Sequence, residues 1–396
     1  MQMCTTDEEI NMLGVCLRYS QHNYGSKLQA LATVKMFEEL KIEYKIIRYN
    51  KKEFSFYIKS LPRMFNITFL IDRFYGVQRK IGFATHPSVK QQIKVRNRCF
   101  DEFDVFFKNH LSEKYESYNV LKSRCSNDFD QVITCSDQLW SPAALGSGFY
   151  NLAFAGDDIN KVSWASSFGV SSIPWYQKKR TKDYLEKINY ISMRENRGAE
   201  IVEELTGKKV PVLMDPVFVF NRKQWEALIP INEPEWENYI FCYFLGSNSE
   251  RRKAAAELAQ KTGCKIVTIR HLDEFVKSDE SFGDIALYDV SPERFLNIIR
   301  NAKYVLTDSF HGCAFSIINE KQFIVFNRYS DASVNSKNSR IDTVCANTGL
   351  DERRYNREMP ISEQIDQPIN YEKVKIILDE YASNTRLYLK EALKVK

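Results

Sequence analysis

The sequence predicts an α/β chain made of two parallel-sheet units in tandem. Short apolar, β-branched runs alternate with helical segments along most of the chain, the pattern of strands joined by crossover helices. Those runs fall into two sets, separated by a stretch at 221–238 that is rich in Pro, Trp and Glu and has no strong period. The 396 residues are enough for two or three cores of ordinary size.

In chain order, the first set of expected strands is 12–18, 44–49, 131–135, 161–165, 190–193 and 210–214. The second set is 239–244, 265–269, 304–307 and 323–326. The expected organisation is therefore an N-terminal domain at 1–220 with an insertion at 51–98, a linker at 221–238, and a C-terminal domain at 239–367. A helix follows at 368–396, where Val374, Ile377, Leu378 and Tyr381 are spaced for one buried face. No internal repeat recurs at fixed period. Ligands of open parallel sheets bind beyond the carboxyl ends of the strands, so chemistry is sought in the strand-to-helix turns.

Composition narrows the class. With 44% hydrophobic and 27% charged residues, 15 Gly and 11 Pro, the chain is neither collagenous nor low-complexity. No run of about 18 uncharged apolar residues predicts a membrane span, and residues 1–10 lack the pattern of a secretory leader. The expected compartment is the cytoplasm. Nine scattered cysteines without a CxxC pair read as reduced, and no Cys/His spacing predicts a metal site. The insertion carries eleven basic and two acidic residues with eight interleaved aromatics. Such a segment suits an anionic membrane surface, a nucleic acid, or an ordinary solvated basic face.

Three turns are rich in chemistry. The run from Tyr304 to Ile318 brings Thr307, Asp308, Ser309 and His311 to a small-residue helix start at Gly312, where amides and the helix dipole favour an anion. Asp308 and Ser309 read equally well as capping residues. The polar turn at Asn23, Tyr24, Gly25 and Ser26 opens a helix and lacks the spacing of a P-loop. The third places Ser136, Asp137 and Gln138 after a strand, with Trp140 as a platform for a sugar ring or a core residue. Arg194 and Arg340 offer bidentate forks for carboxylate or phosphate.

Seven segments in order resemble the polysaccharide pyruvyl transferase family: Asn23-Tyr-Gly-Ser-Lys-Leu-Gln29, Cys135-Ser-Asp-Gln-Leu-Trp140, Ser166-Ser-Phe-Gly169, Ser192-Met-Arg-Glu195, Met214-Asp-Pro216, Asp308-Ser-Phe-His-Gly312 and Ser339-Arg-Ile341. The resemblance implies two Rossmann-like domains in a GT-B-like arrangement with a cleft between them. It also implies phosphoenolpyruvate as co-substrate, and a hydroxyl pair of a sugar on a polyprenyl-diphosphate-linked precursor as acceptor. No further cofactor, no metal and no nucleic acid are expected, and the insertion would meet the inner face of the plasma membrane.

On this reading Arg194 and Arg340 clamp the donor, with Ser309 and Gly312 beside it. His311 contacts the phosphate or acts as general acid, and Asp137 or Asp308 serves as base. Asn23, Tyr24, Gln138 and Trp140 face the acceptor. Some branches of the family carry an arginine two positions before the motif histidine, where Ser309 stands here. Either the donor pocket draws its charge from elsewhere, with Arg340 the candidate, or the donor differs. A nucleotide-sugar glycosyltransferase and a non-catalytic glycan- or nucleic-acid-binding protein are the alternatives on the same scaffold.

Overall fold

The computed structural model describes residues 12–49, 86–142, 148–272, 276–328 and 339–395. Most of the basic aromatic insertion lies outside the described residues. The first domain runs β1 (Leu13–Cys16), α1 (Tyr24–Glu39), β2 (Tyr44–Arg48), α2 (Pro87–Phe103), β3 (Leu111–Lys114), α3 (Tyr118–Asp128), β4 (Gln131–Cys135), β5 (Asn160–Ser166), α4 (Trp175–Leu185), β6 (Tyr190–Met193) and α5 (Asn196–Thr206). All strands are parallel, in the order β3-β2-β1-β4-β5-β6. This is the doubly wound order whose direction reverses between β1 and β4, where a crevice opens. Helices cover both faces of the sheet, so β1 and β4 are buried throughout and their sequences show no polar alternation.

Two sequence expectations differ from the structure here. The edge strand β3, Leu-Ser-Glu-Lys, is at most half-buried and carries one apolar residue, so no hydrophobic pattern marks it. The expected strand at 210–214 is a single parallel bridge from Met193 to Val212. Pro211 has no N–H to extend a ladder, and Pro216 opens a 3₁₀ turn at Pro216–Val219.

The linker stretch contains α6 (Arg222–Leu228), closed by a capping box in which Asn221 and Gln224 each accept the other's backbone N–H. The second domain then follows: β7 (Tyr239–Tyr243), α7 (Ser249–Thr262), β8 (Lys265–Ile269), β9 (Ile285–Leu287), α8 (Pro292–Asn301), β10 (Tyr304–Thr307), α9 (Phe310–Ile318), β11 (Gln322–Val325), α10 (Ser339–Thr348), α11 (Ile361–Asp366) and α12 (Tyr371–Ala392). Its five parallel strands lie in the order β11-β10-β7-β8-β9, so the reversal falls between β7 and β10. The three-residue edge strand β9 was not anticipated from sequence.

The two domains share one apolar core, with α1 as its centre. This helix is buried almost all round, as a helix packed on both sides must be. Tyr24 at its start stacks on Phe295 of α8, with ring centroids 4.6 Å apart, and its hydroxyl donates to the Val290 carbonyl. The long α12 then returns to the first domain. There the Tyr388 hydroxyl donates to the Ser163 carbonyl at 2.7 Å, Gln131 binds the Leu393 carbonyl, and Arg386 pairs with Glu39. The result is a pair of Rossmann-like domains in a GT-B-like arrangement, with the carboxyl ends of both sheets facing one cleft.

Candidate active site

The turns after β1, β4, β7 and β10 meet at the two reversal points and enclose a cavity of about 180 Å³. Two helices from opposite domains aim their N-termini at it. At α1, Asn23 caps by accepting the Ser26 amide; at α9, Ser309 caps by accepting the Gly312 amide. Arg18, Arg328 and Arg340 line the same space, with Asp137, Asp308 and His311. Helix N-termini and guanidinium groups together make this a site for a small anion.

The loop after β4 is built to raise Asp137. Ser136 and Asp137 both adopt left-handed conformations, with φ of 43° and 54°. Each costs on the order of 1–2 kcal/mol for a residue bearing a Cβ. The conformation is held by the Ser136 amide on the Trp164 carbonyl and the Ser167 amide on the Asp137 carbonyl. As a result the Asp137 carboxylate accepts from the Ser26 hydroxyl at 3.0 Å and the Gln138 amide at 2.7 Å, with Arg18 at 3.6 Å. Burial would raise this carboxyl, but the charges of Arg18 and Arg194 and the Gln138 amide override it and hold Asp137 below its ordinary value.

Beneath the cavity lies a buried charge network centred on Asp215. It accepts from Arg194 Nη1 at 2.7 Å and from the Ser136 hydroxyl at 2.9 Å, and His311 Nε2 stands 3.6 Å away. Burial opposes ionisation, yet the neighbouring His311 ring and the charge and hydrogen bond of Arg194 hold the Asp215 carboxyl well below the usual carboxylate range. The His311 ring also lies on the backbone of Gly25 across the cleft: a Cβ at Gly25 would sit 1.9 Å from His311 Nδ1. The motif histidine of the second domain is thus seated on the first helix of the other. Asp308 is engaged on both oxygens, by the Leu245 amide at 2.6 Å and by Arg251, whose other nitrogen binds the Asn327 and Arg328 carbonyls. Burial lifts the Asp308 carboxyl above its ordinary value, and the charge of Arg251 only partly offsets this.

The candidates read from sequence are therefore divided. Asn23, Asp137, Gln138, Asp308, Ser309, His311 and Arg340 meet at the cavity. Arg194 does not line it. This side chain is buried, its guanidinium carbon 5.0 Å from the Phe310 ring centroid, and its charge is spent on Asp215 and Glu195. Trp140 offers no face to a sugar, being fully buried against Phe168 and Tyr184 with its indole N–H on the Tyr150 carbonyl. Tyr24 is likewise taken up by the domain interface. The Gly312 amide is used by the Ser309 cap, and the glycine is required because a Cβ would meet Thr307 Oγ1 at 2.4 Å.

Sequence reasoning missed Arg18, Arg251, Arg328 and Asp215. Arg18 stands at the end of the expected strand 12–18, and Arg251, in Ser-Glu-Arg-Arg, carries no signal of its own. Asp215 alone carried a sequence signal, in Met214-Asp-Pro216. Among the described residues no cluster of His, Cys, Asp and Glu could hold a metal ion.

Among solved structures, the chain is similar to a UDP-GlcNAc 2-epimerase from Neisseria meningitidis bound to UDP-GlcNAc. Identity is 13%, over 97% of this chain and 100% of that one, with a TM-score of 0.53. A UDP complex of S. aureus MnaA matches with 12% identity over 97% of both chains and a TM-score of 0.49. At such identity the first likeness shows the shared fold. No curated protein sequence matches the chain. The model of the polysaccharide pyruvyl transferase family, by contrast, matches residues 23–330, which include every strand from β2 to β11 and the Asp137, Asp215 and His311 turns. The chain belongs to the polysaccharide pyruvyl transferase family.

Proposed function

We propose that this transferase moves the pyruvyl group of phosphoenolpyruvate onto two neighbouring hydroxyls of a sugar, forming a cyclic ketal and releasing phosphate, with no further cofactor. The acceptor that suits this reading is a sugar of a polyprenyl-diphosphate-linked precursor, reached from the cytoplasmic side. The supporting observation is the cavity itself, where Arg18, Arg328, Arg340 and two helix N-termini surround about 180 Å³. Pockets for drug-sized ligands run to roughly 300–1,000 Å³. Phosphoenolpyruvate, small and anionic at both ends, suits the space better than a nucleotide sugar.

The reaction sets the roles. The methylene carbon of the enol takes a proton, the adjacent carbon becomes an oxocarbenium ion, and the first hydroxyl adds to it. Phosphate then departs with its bridging oxygen and the second hydroxyl closes the ring. Of the two hydroxyl protons, one balances the new methyl group and one leaves on phosphate. His311, held against Asp215, supplies the proton to carbon. Asp137, on the cavity wall and held ionised by Arg18 and Arg194, receives the hydroxyl proton, whereas Asp308 is tied to Arg251 and its carboxyl is lifted by burial. Arg328 and Arg340 hold the donor anions, while Arg194 acts at one remove by fixing Asp215.

Calorimetry distinguishes the readings. Phosphoenolpyruvate should bind the native chain and fail to bind Arg340→Ala, while His311→Ala should bind it yet release no phosphate with acceptor present. Binding of a UDP- or CMP-sugar in its place would move the chain to glycosyl transfer.

A further inference from the structure

The start of α4 carries an exposed aromatic and basic surface. Trp175 is 84% exposed, more than any other large apolar side chain in the described residues. Lys178 and Lys179 follow at three and four positions, which places them on the same helical face, and Arg180 flanks them. All three cations are exposed, and none is paired with a carboxylate among the described residues; the nearby Lys182 pairs with Glu186 at 3.6 Å. Isolated exposed apolar residues are ordinary, but a bare indole beside three unpaired cations is not neutral decoration. Indole rings settle at the boundary between headgroups and acyl chains, and cations there meet anionic lipid.

The position of this patch in the fold gives it a direction. A helix that follows a parallel strand begins at the carboxyl edge of the sheet, so Trp175 lies on the same edge as the cleft. Specific contacts tie the two together. Gln177 Nε2 donates to the Pro142 carbonyl at 3.0 Å, and the Trp140 amide donates to the Ser167 carbonyl. Gly169, in the left-handed region at φ 64°, lies against the Gln138 side chain at the cavity wall. The segment leading to the patch therefore packs directly on the loop that presents Asp137 and Gln138.

We propose that Trp175, Lys178, Lys179 and Arg180 form a docking surface for an anionic lipid bilayer, which turns the mouth of the cleft toward the membrane. These four residues lie outside the 51–98 stretch of the sequence, and the proposal does not depend on the identity of the donor. Among the described residues no helix is long and apolar enough to cross a membrane, so contact here is peripheral.

The test is co-sedimentation of the full chain with vesicles of phosphatidylcholine alone, and with phosphatidylglycerol added. The native chain should bind only the anionic vesicles, less tightly as salt rises. Each cation near such a surface is worth about fivefold in binding, so changing Lys178, Lys179 and Arg180 to Gln should weaken it roughly 100-fold. Trp175→Ala should also weaken it, and quenching by brominated lipid should disappear in Trp175→Phe. These residues lie outside the cavity, so phosphoenolpyruvate binding should be unchanged in every variant, which separates this inference from the donor assignment. Vesicle binding equal in the native chain and the Gln variant, or no binding of the native chain to anionic vesicles, overturns the proposal. Binding of single-stranded DNA in preference to vesicles, lost in the Gln variant, also overturns it.

Discussion

Asp215 faces two groups of different kinds, the Arg194 guanidinium hydrogen-bonded at 2.7 Å and the His311 ring at 3.6 Å. Replacing Asp215 with Asn removes the closer of the two counter-ions of buried Arg194 and leaves only Glu195, at 3.9 Å, which costs about 3–5 kcal/mol. Urea midpoints at pH 7 should show that loss. Because the folded carboxyl is held below its unfolded value near about 3.9, its contribution is complete above that pH and is lost as pH falls through the folded value. The gap between native and Asp215→Asn midpoints should therefore shrink in acid. Gly25 makes a different claim. Gly25→Ala pushes the His311 ring off its seat, and displacement of about 1 Å can cost on the order of 100-fold in turnover. Phosphate release should fall by about that factor while unfolding shifts by only about 1–3 kcal/mol. Neither residue was assigned a role from sequence, because its importance lies in a partner more than 90 positions away: Asp215 meets His311 only when the two domains pack, and Gly25 is an ordinary turn glycine until the histidine is placed on it.

Elements reveal more of themselves in sequence than contacts do. The central strands β1, β4, β7 and β10 are legible because burial on both faces demands unbroken apolar runs. Among the edge strands, β6 and β11 keep that signal because most of their residues are buried, whereas β3 and β9 lose it because none of theirs is. The N-terminus of α9 shows both the reach and the limit of such reading. Ser309 was recognised as a cap or a donor contact, and the structure has its hydroxyl accepting the Gly312 amide while it also lines the cavity. Ser309→Ala should cost about 1 kcal/mol of stability, seen as a lower thermal midpoint, and should weaken phosphoenolpyruvate binding far less than Arg340→Ala does. An equal loss would mean that the hydroxyl touches the donor directly.

At the scale of the molecule, α12 joins the domains a second time. Leu389 is fully buried where this helix lies on the first sheet. Leu389→Ala should cost about 2–5 kcal/mol, measured by denaturant unfolding, although the residue is remote from the cleft. The helix itself was legible from its apolar spacing, but its destination was not, because an amphipathic pattern says that a face is covered without saying by what. That destination restricts motion. A chain that passed once between domains would leave them free to twist as well as bend. Here the peptide crosses near Asn221, and α12 carries it back along its own length: Tyr371 and Lys375 still bind the second domain at the Lys321 carbonyl and Glu320, while Tyr388 already binds the first sheet. A helix fixed to both domains acts as a splint against twisting as well as parting, and so protects the seat of His311 on Gly25.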